Sequence, residues 1–133
     1  MADRLLFEHV AVNVMDPVAV SGWYVEQLGM SIVRQGEGPV HMRFLADAGG
    51  RVVLELYCNP PERVPDYAAQ DPQVLHLAFA VSDIAAERER LLAAGATACG
   101  PISTTAAGDR LAMLRDPWGL ALQLTQRAQR LLS

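Results

Sequence analysis

Long apolar runs, cysteine and positive charge are all scarce in this chain of 133 residues, and each shortage removes a class of protein. Hydrophobic residues make up 51% of the chain, but they come in short runs of strand or helix length. None approaches the roughly 18 consecutive apolar residues of a membrane-spanning helix. Cys58 and Cys99 are too few for a disulfide framework and lack CxxC spacing; they read as small, reduced, half-buried side chains. The formal net charge of −4 argues against a general nucleic-acid binder. The opening Met-Ala-Asp-Arg-Leu-Leu-Phe-Glu sets acid on both sides of a very short apolar stretch, unlike a secretory leader. The expectation is one cytoplasmic domain spanning 1–133, long enough for a real core.

What the chain does have is one pattern written twice. His9-Val10-Ala11-Val12-Asn13-Val14-Met15-Asp16 recurs as His76-Leu77-Ala78-Phe79-Ala80-Val81-Ser82-Asp83, both reading H-x-A-x-x-V-x-D. His76 follows His9 by 67 residues, and Asp83 follows Asp16 by the same 67. Residues 6–14 alternate as a strand does, and Asp16-Pro17 supplies an N-cap and a first-turn proline for a helix ending at Gly29. Strands near 30–35, 40–46 and 51–58 follow, separated by glycine-rich turns. Residues 59–73 carry Pro60, Pro61, Pro65 and Pro72 and read as a linker or covering loop. The order then restarts. A strand at 74–81 leads to a helix capped by Asp83 and stopped by Gly95, with strands near 97–103, 110–115 and 120–126. Asp47-Ala48-Gly49-Gly50 and Asp116-Pro117-Trp118-Gly119 are matching turns. The chain is therefore two tandem βαβββ modules, about 5–58 and 74–126, of α+β class. The tail from Arg127 reads as a short amphipathic turn.

Strand side chains alternate between faces. One face of the first strand holds Phe7, His9, Ala11 and Asn13, and one face of the fifth holds His76, Ala78 and Ala80. Small residues beside a histidine leave room for a cup. The last strand of each module adds Glu55 and Gln123, which correspond across the repeat and lie among leucines pointing the other way. A carboxylate in such a place needs a partner, either a metal ion or an arginine. An amide such as Gln123 can ligate or simply hydrogen-bond within the sheet. If first and last strands lie side by side, His9, Glu55, His76 and Gln123 can converge. Two imidazoles, a carboxylate and an amide oxygen suit a borderline divalent ion such as Zn, Ni, Co, Fe or Mn.

Almost the whole length resembles the vicinal oxygen chelate superfamily, which includes glyoxalase I, methylmalonyl-CoA epimerase, extradiol dioxygenases, fosfomycin-resistance enzymes and bleomycin-binding proteins. The signs are the paired modules, His-Val-Ala-Val at 9–12, Trp23-Tyr24 before Leu28-Gly29-Met30, Leu54-Glu55-Leu56, His76-Leu77-Ala78-Phe79 and Asp116-Pro117-Trp118-Gly119. The resemblance implies a curved mixed sheet around a metal-binding cup, with ligands at His9, Glu55, His76 and position 123. Many of these enzymes carry glutamate at the last position; here Gln123 cannot act as a carboxylate base, and Glu55 keeps the only carboxylate of the set.

The leading expectation is a divalent-metal-dependent lyase or isomerase of glyoxalase type. It would act on a small oxygen-chelating substrate by proton transfer beside a carbonyl, with Glu55 as catalytic base. Tyr57 would line the pocket. Arg34, Arg43 and Arg110 are candidate anchors for a substrate carboxylate, surface placement being the plainer alternative. The second expectation is a non-catalytic binding protein of the bleomycin-resistance type, holding an aromatic or peptidic ligand against Trp118, Tyr57 or Phe44. The third, an extradiol-type Fe(II) dioxygenase, is disfavoured by Gln123. A homodimer is implied by the resemblance, and His41 reads as a surface histidine.

Overall fold

Each module begins with a strand that an aspartate converts into a helix. The computed structural model describes residues 4–132, and the chain divides into two compact units, Met1–Pro65 and Asp66–Ser133. In the first unit β1 (Val10–Asn13) leads to α1 (Pro17–Leu28), then β2 (Ser31–Gln35), β3 (Arg43–Ala46) and β4 (Val52–Tyr57). Asp16 caps α1 by accepting a hydrogen bond from the Ala19 N–H at 3.0 Å, with Pro17 in the first helical turn. Gly29, in the left-handed region at φ 71°, ends it.

The second unit repeats the plan. β5 (Leu77–Ala80) leads to α2 (Ile84–Ala93), capped by Asp83 through the Ala86 N–H at 3.1 Å. Short strands β6 (Thr97–Ala98) and β7 (Ser103–Thr104) follow, then β8 (Arg110–Arg115) and β9 (Ala121–Gln126). The stretch expected as one strand over 97–103 is broken because Gly100 takes a positive φ of 87° and Pro101 has no N–H to give a ladder. The first strand is also shorter than the expected 6–14, since its ladder with β4 begins at Val10. Leu5, Leu6 and Phe7 are exposed and outside any strand. The tail holds no helix through Leu132.

Two mixed sheets result, in the orders β1-β4-β3-β2 and β5-β9-β8-β6, with β7 also paired to β8. In each, the module's first and last strands run parallel and side by side. One face of each sheet packs on its helix. In the first unit this core is Val12, Val14, Val20, Tyr24, Leu45, Leu54 and Leu56; in the second it is Ile84, Leu91, Ala112, Leu114, Leu122 and Leu124. The hydrophobic term is concentrated there, at roughly 1.5–3 kcal/mol for each large side chain fully buried.

The two β-turns before β4 and β9 match bond for bond. Asp47 N–H bonds the Arg51 carbonyl and Gly50 N–H the Asp47 carbonyl; Asp116 N–H bonds the Leu120 carbonyl and Gly119 N–H the Asp116 carbonyl. Both glycines sit at positive φ, 84° and 96°. They differ in what surrounds them: a Cβ on Gly50 would meet nothing within 4 Å, whereas one on Gly119 would lie 2.8 Å from the Ala68 backbone nitrogen. Gly50→Ala is therefore expected to cost about 1–2 kcal/mol from its backbone alone. Gly119→Ala is expected to cost a further 1–3 kcal/mol, roughly, from overpacking. Thermal unfolding of the two variants checks the order; equal losses would show that the Ala68 contact does not constrain the turn.

Candidate functional site

The parallel ladder sets the site. Ala11 on β1 pairs with Glu55 on β4, and Phe44 on β3 pairs with Glu55 from the other side. Arg34 on β2 pairs in turn with Phe44, after a bulge between Ile32 and Arg34. Cross-strand partners share a face, so Arg34, Phe44, Glu55 and Ala11 form one row on the face away from α1. His9 precedes β1 by one residue and falls on this face by the same alternation.

The contacts bear this out. His9 Nε2 lies 3.4 Å from Glu55 Oε1, with the two side chains 27% and 21% exposed. The His9 ring meets the Phe44 ring edge-on, centroids 5.0 Å apart and planes at 88°. Glu55 thus faces an imidazole and not an arginine. Tyr57, two residues on, is half-buried on the same face.

The second unit has the same frame with different occupants. Gln123 on β9 lies between Ala78 on β5 and Met113 on β8, half-buried. His76 precedes β5 and is placed on that face by the same alternation. The module pairs are thus His9 with Glu55 and His76 with Gln123.

Both imidazoles are tied in the same sense. His9 Nδ1 is 2.8 Å from the Glu8 carboxylate, and His76 Nδ1 is 2.9 Å from the Pro72 carbonyl. Either oxygen accepts, so each Nδ1 donates, and the neutral His76 ring has its lone pair on Nε2. His9 Nε2 instead faces the Glu55 carboxylate and donates to it when the ring carries both protons. Histidines that bind metals are held in this way. The donor chemistry of His76 therefore fits a divalent ion, and His9 fits one that takes the place of its Nε2 proton beside Glu55. Among the described residues, however, no group of three or more His, Cys, Asp or Glu side chains is placed to hold one.

The other anticipated residues are placed as follows. Arg110 pairs with Gln126, whose side-chain oxygen accepts the Ile84 N–H at the start of α2; both belong to the helix side of their sheet. Arg43 is buried on the helix side and donates to the carbonyls of Gly36, His41 and Met42. Trp118 lies in the turn before β9, 40% exposed. Cys58 and Cys99 are free thiols, each half-buried. His41 is half-buried and takes a left-handed φ of 51°.

Two residues organise the covering loop. Asn13 donates from Nδ2 to the Pro60 carbonyl at 3.0 Å and accepts from the Asn59 N–H at 2.7 Å. Arg115 donates to the carbonyls of Tyr67, Gln70 and Gly119. Asn13 had a signal in the sequence, since it replaces the Ala80 of the second copy inside an otherwise matched repeat. Arg115 had none.

Comparison with known proteins places this geometry. The family model for the Glyoxalase/Bleomycin resistance protein/Dioxygenase superfamily matches residues 6–124. Among solved structures, TnmS3, an antibiotic binding protein from Streptomyces sp. CB03234, is 27% identical with a TM-score of 0.71, covering 96% of this chain and 99% of that one. A glyoxalase/bleomycin resistance protein from the same strain is 27% identical, TM-score 0.65, covering 90% and 98%. The glyoxalase family protein APC24694 from Bacillus cereus, 21% identical with a TM-score of 0.69 over 97% and 99%, shares the fold. No curated protein matches the chain.

The neutral His76 ring is expected as the Nδ1–H tautomer, read from its nitrogen-15 shifts and ring couplings. A dominant Nε2–H form would overturn the Pro72 anchor and with it the free Nε2.

Proposed function

The chain belongs to the Glyoxalase/Bleomycin resistance protein/Dioxygenase superfamily, and we propose that within it this protein binds a planar small molecule on the open face of its first sheet. The observation that carries the reading is the closed His9–Glu55 contact, 3.4 Å long, beside the Phe44 and Tyr57 rings. A matched imidazole and carboxylate flanked by two aromatic rings is a surface for holding a flat, partly polar ligand: ring area for stacking and a few polar atoms for orientation. The likeness to TnmS3, an antibiotic binding protein, at 27% identity over nearly the whole chain, supports the same reading. It requires neither turnover nor metal. Phe44 and Tyr57 are the contacts, and Glu55 accepts a hydrogen bond from the ligand.

A second reading, a metal-dependent lyase or isomerase, is favoured by one observation: both repeat histidines are anchored through Nδ1. His9, Glu55, His76 and Gln123 would be the residues to hold the ion. A divalent ion, when bound, supplies Lewis acidity toward oxygens of a substrate. Glu55 is the one carboxylate of the four and would carry the proton beside the carbonyl. Gln123, an amide, would orient and not transfer a proton.

The two readings separate in one experiment. Protein stripped with chelator is titrated with a neutral hydroxynaphthalene carboxamide and followed by amide NMR. Shifts centred on Ala11, Phe44 and Tyr57 are expected, with affinity roughly threefold to tenfold weaker in Phe44→Ala. Binding that appears only with near-stoichiometric metal, and disappears in the His9→Ala, His76→Ala double variant, would replace the first reading with the second. No binding in either state would overturn the first.

A further inference from the structure

The structure assigns Arg34 as the anchor for an acidic group on the ligand of this face, so that the ligand class is a planar carboxylate with a hydrogen-bond donor at its far end. The assignment rests on the open-face binding reading and narrows it. All 11 basic side chains are arginine, and most are committed elsewhere. Arg43 and Arg115 are spent on backbone carbonyls. Arg51, Arg88, Arg90 and Arg127 sit beside Asp47, Glu89, Glu87 and Asp109. Arg110 belongs to the helix side of its sheet, as its pairing with Gln126 shows. Arg34 is exposed, has no hydrogen bond or ion pair among the described residues, and lies in the row that contains Phe44 and Glu55.

The order of that row defines the ligand. Guanidinium, ring and carboxylate occupy three successive strands, so the Cα atoms of Arg34 and Glu55 are roughly 10 Å apart, two interstrand steps. Phe44 lies between them. A planar body resting on Phe44 reaches both ends only if it is about two fused rings long. Its acidic end meets a fork of donors matched to a carboxylate. Its other end meets an acceptor, Glu55, whose Oε1 lies 3.4 Å from His9 Nε2. A ligand turned end for end would set its carboxylate against Glu55, so the row also fixes direction.

The test compares a hydroxynaphthalene carboxylate with its neutral carboxamide, by amide NMR titration of the intact chain. The carboxylate is expected to bind roughly threefold to fivefold more tightly, the range of one solvent-exposed ion pair, and the preference should shrink at high salt. Arg34→Gln is expected to remove the preference by weakening the carboxylate. Arg34→Lys should retain part of it, and Arg51→Gln, a control for net charge, should leave it intact. If both probes shift Phe44 and Tyr57 equally in wild type, or if Arg34→Gln keeps the preference, Arg34 is not the anchor and the open-face reading survives. If neither probe binds, both fall. A change in amide dispersion in Arg34→Gln transfers the decision to Arg34→Lys, where loss of all preference overturns the assignment.

Discussion

The parallel ladder between the first and last strand of each module is the constraint from which the rest of the arrangement follows. A parallel pair cannot be joined by a tight turn; the connection must cross over and return. Here α1 and two strands make that crossing in the first unit, and α2 with the short strands and β8 in the second. Because the ladder sets Ala11 against Glu55 and Ala78 against Gln123, the small residue of H-x-A is always beside the functional position of the last strand. A slip by one residue would turn Glu55 into the helix-side core. There its charge would be buried against the helix without a partner, while Leu54 and Leu56 turned outward, at a cost of several kcal/mol. Register and site are thus selected by the same alternation.

Much of this was legible in the residues because it rests on local chemistry. The Asp caps, the left-handed glycines and the alternating leucines around Glu55 each act over a few positions, and the repeat doubles every signal. Less legible are element ends, which depend on ladder partners or on a single backbone break. The first strand begins only at Val10, because alternation at 6–9 does not set where its ladder with β4 starts. The stretch 97–103 is interrupted where Gly100, at φ 87°, and Pro101 override β-rich flanks. For the site, the sequence could name Glu55 and demand a partner for it. It could not choose His9 over an arginine, since that choice depends on how β1 lies against β4. Nor could it sort the arginines: Arg34, Arg43 and Arg110 look alike in sequence, and only the ladders separate one on the open face from two on the helix side.

The repeat also shows where duplication was not preserved. Turns, caps and core positions match between the units, and those are the places where stability depends on one residue type. The open faces diverge: Phe44 and Glu55 in one frame, Met113 and Gln123 in the other. A half-buried amide can satisfy itself with hydrogen bonds and needs no counter-charge, whereas a half-buried carboxylate draws an imidazole to it. Asn13, with no polar counterpart at Ala80, ties the end of β1 to Asn59 and Pro60. The first unit therefore concentrates charge, rings and a held loop on one face, whereas the guanidinium on the matching face of the second, Arg115, is committed to the carbonyls of Tyr67, Gln70 and Gly119. Discrimination among ligands by charge belongs to the first unit, because only there does the open face of the sheet hold both a carboxylate and an uncommitted guanidinium in a single row.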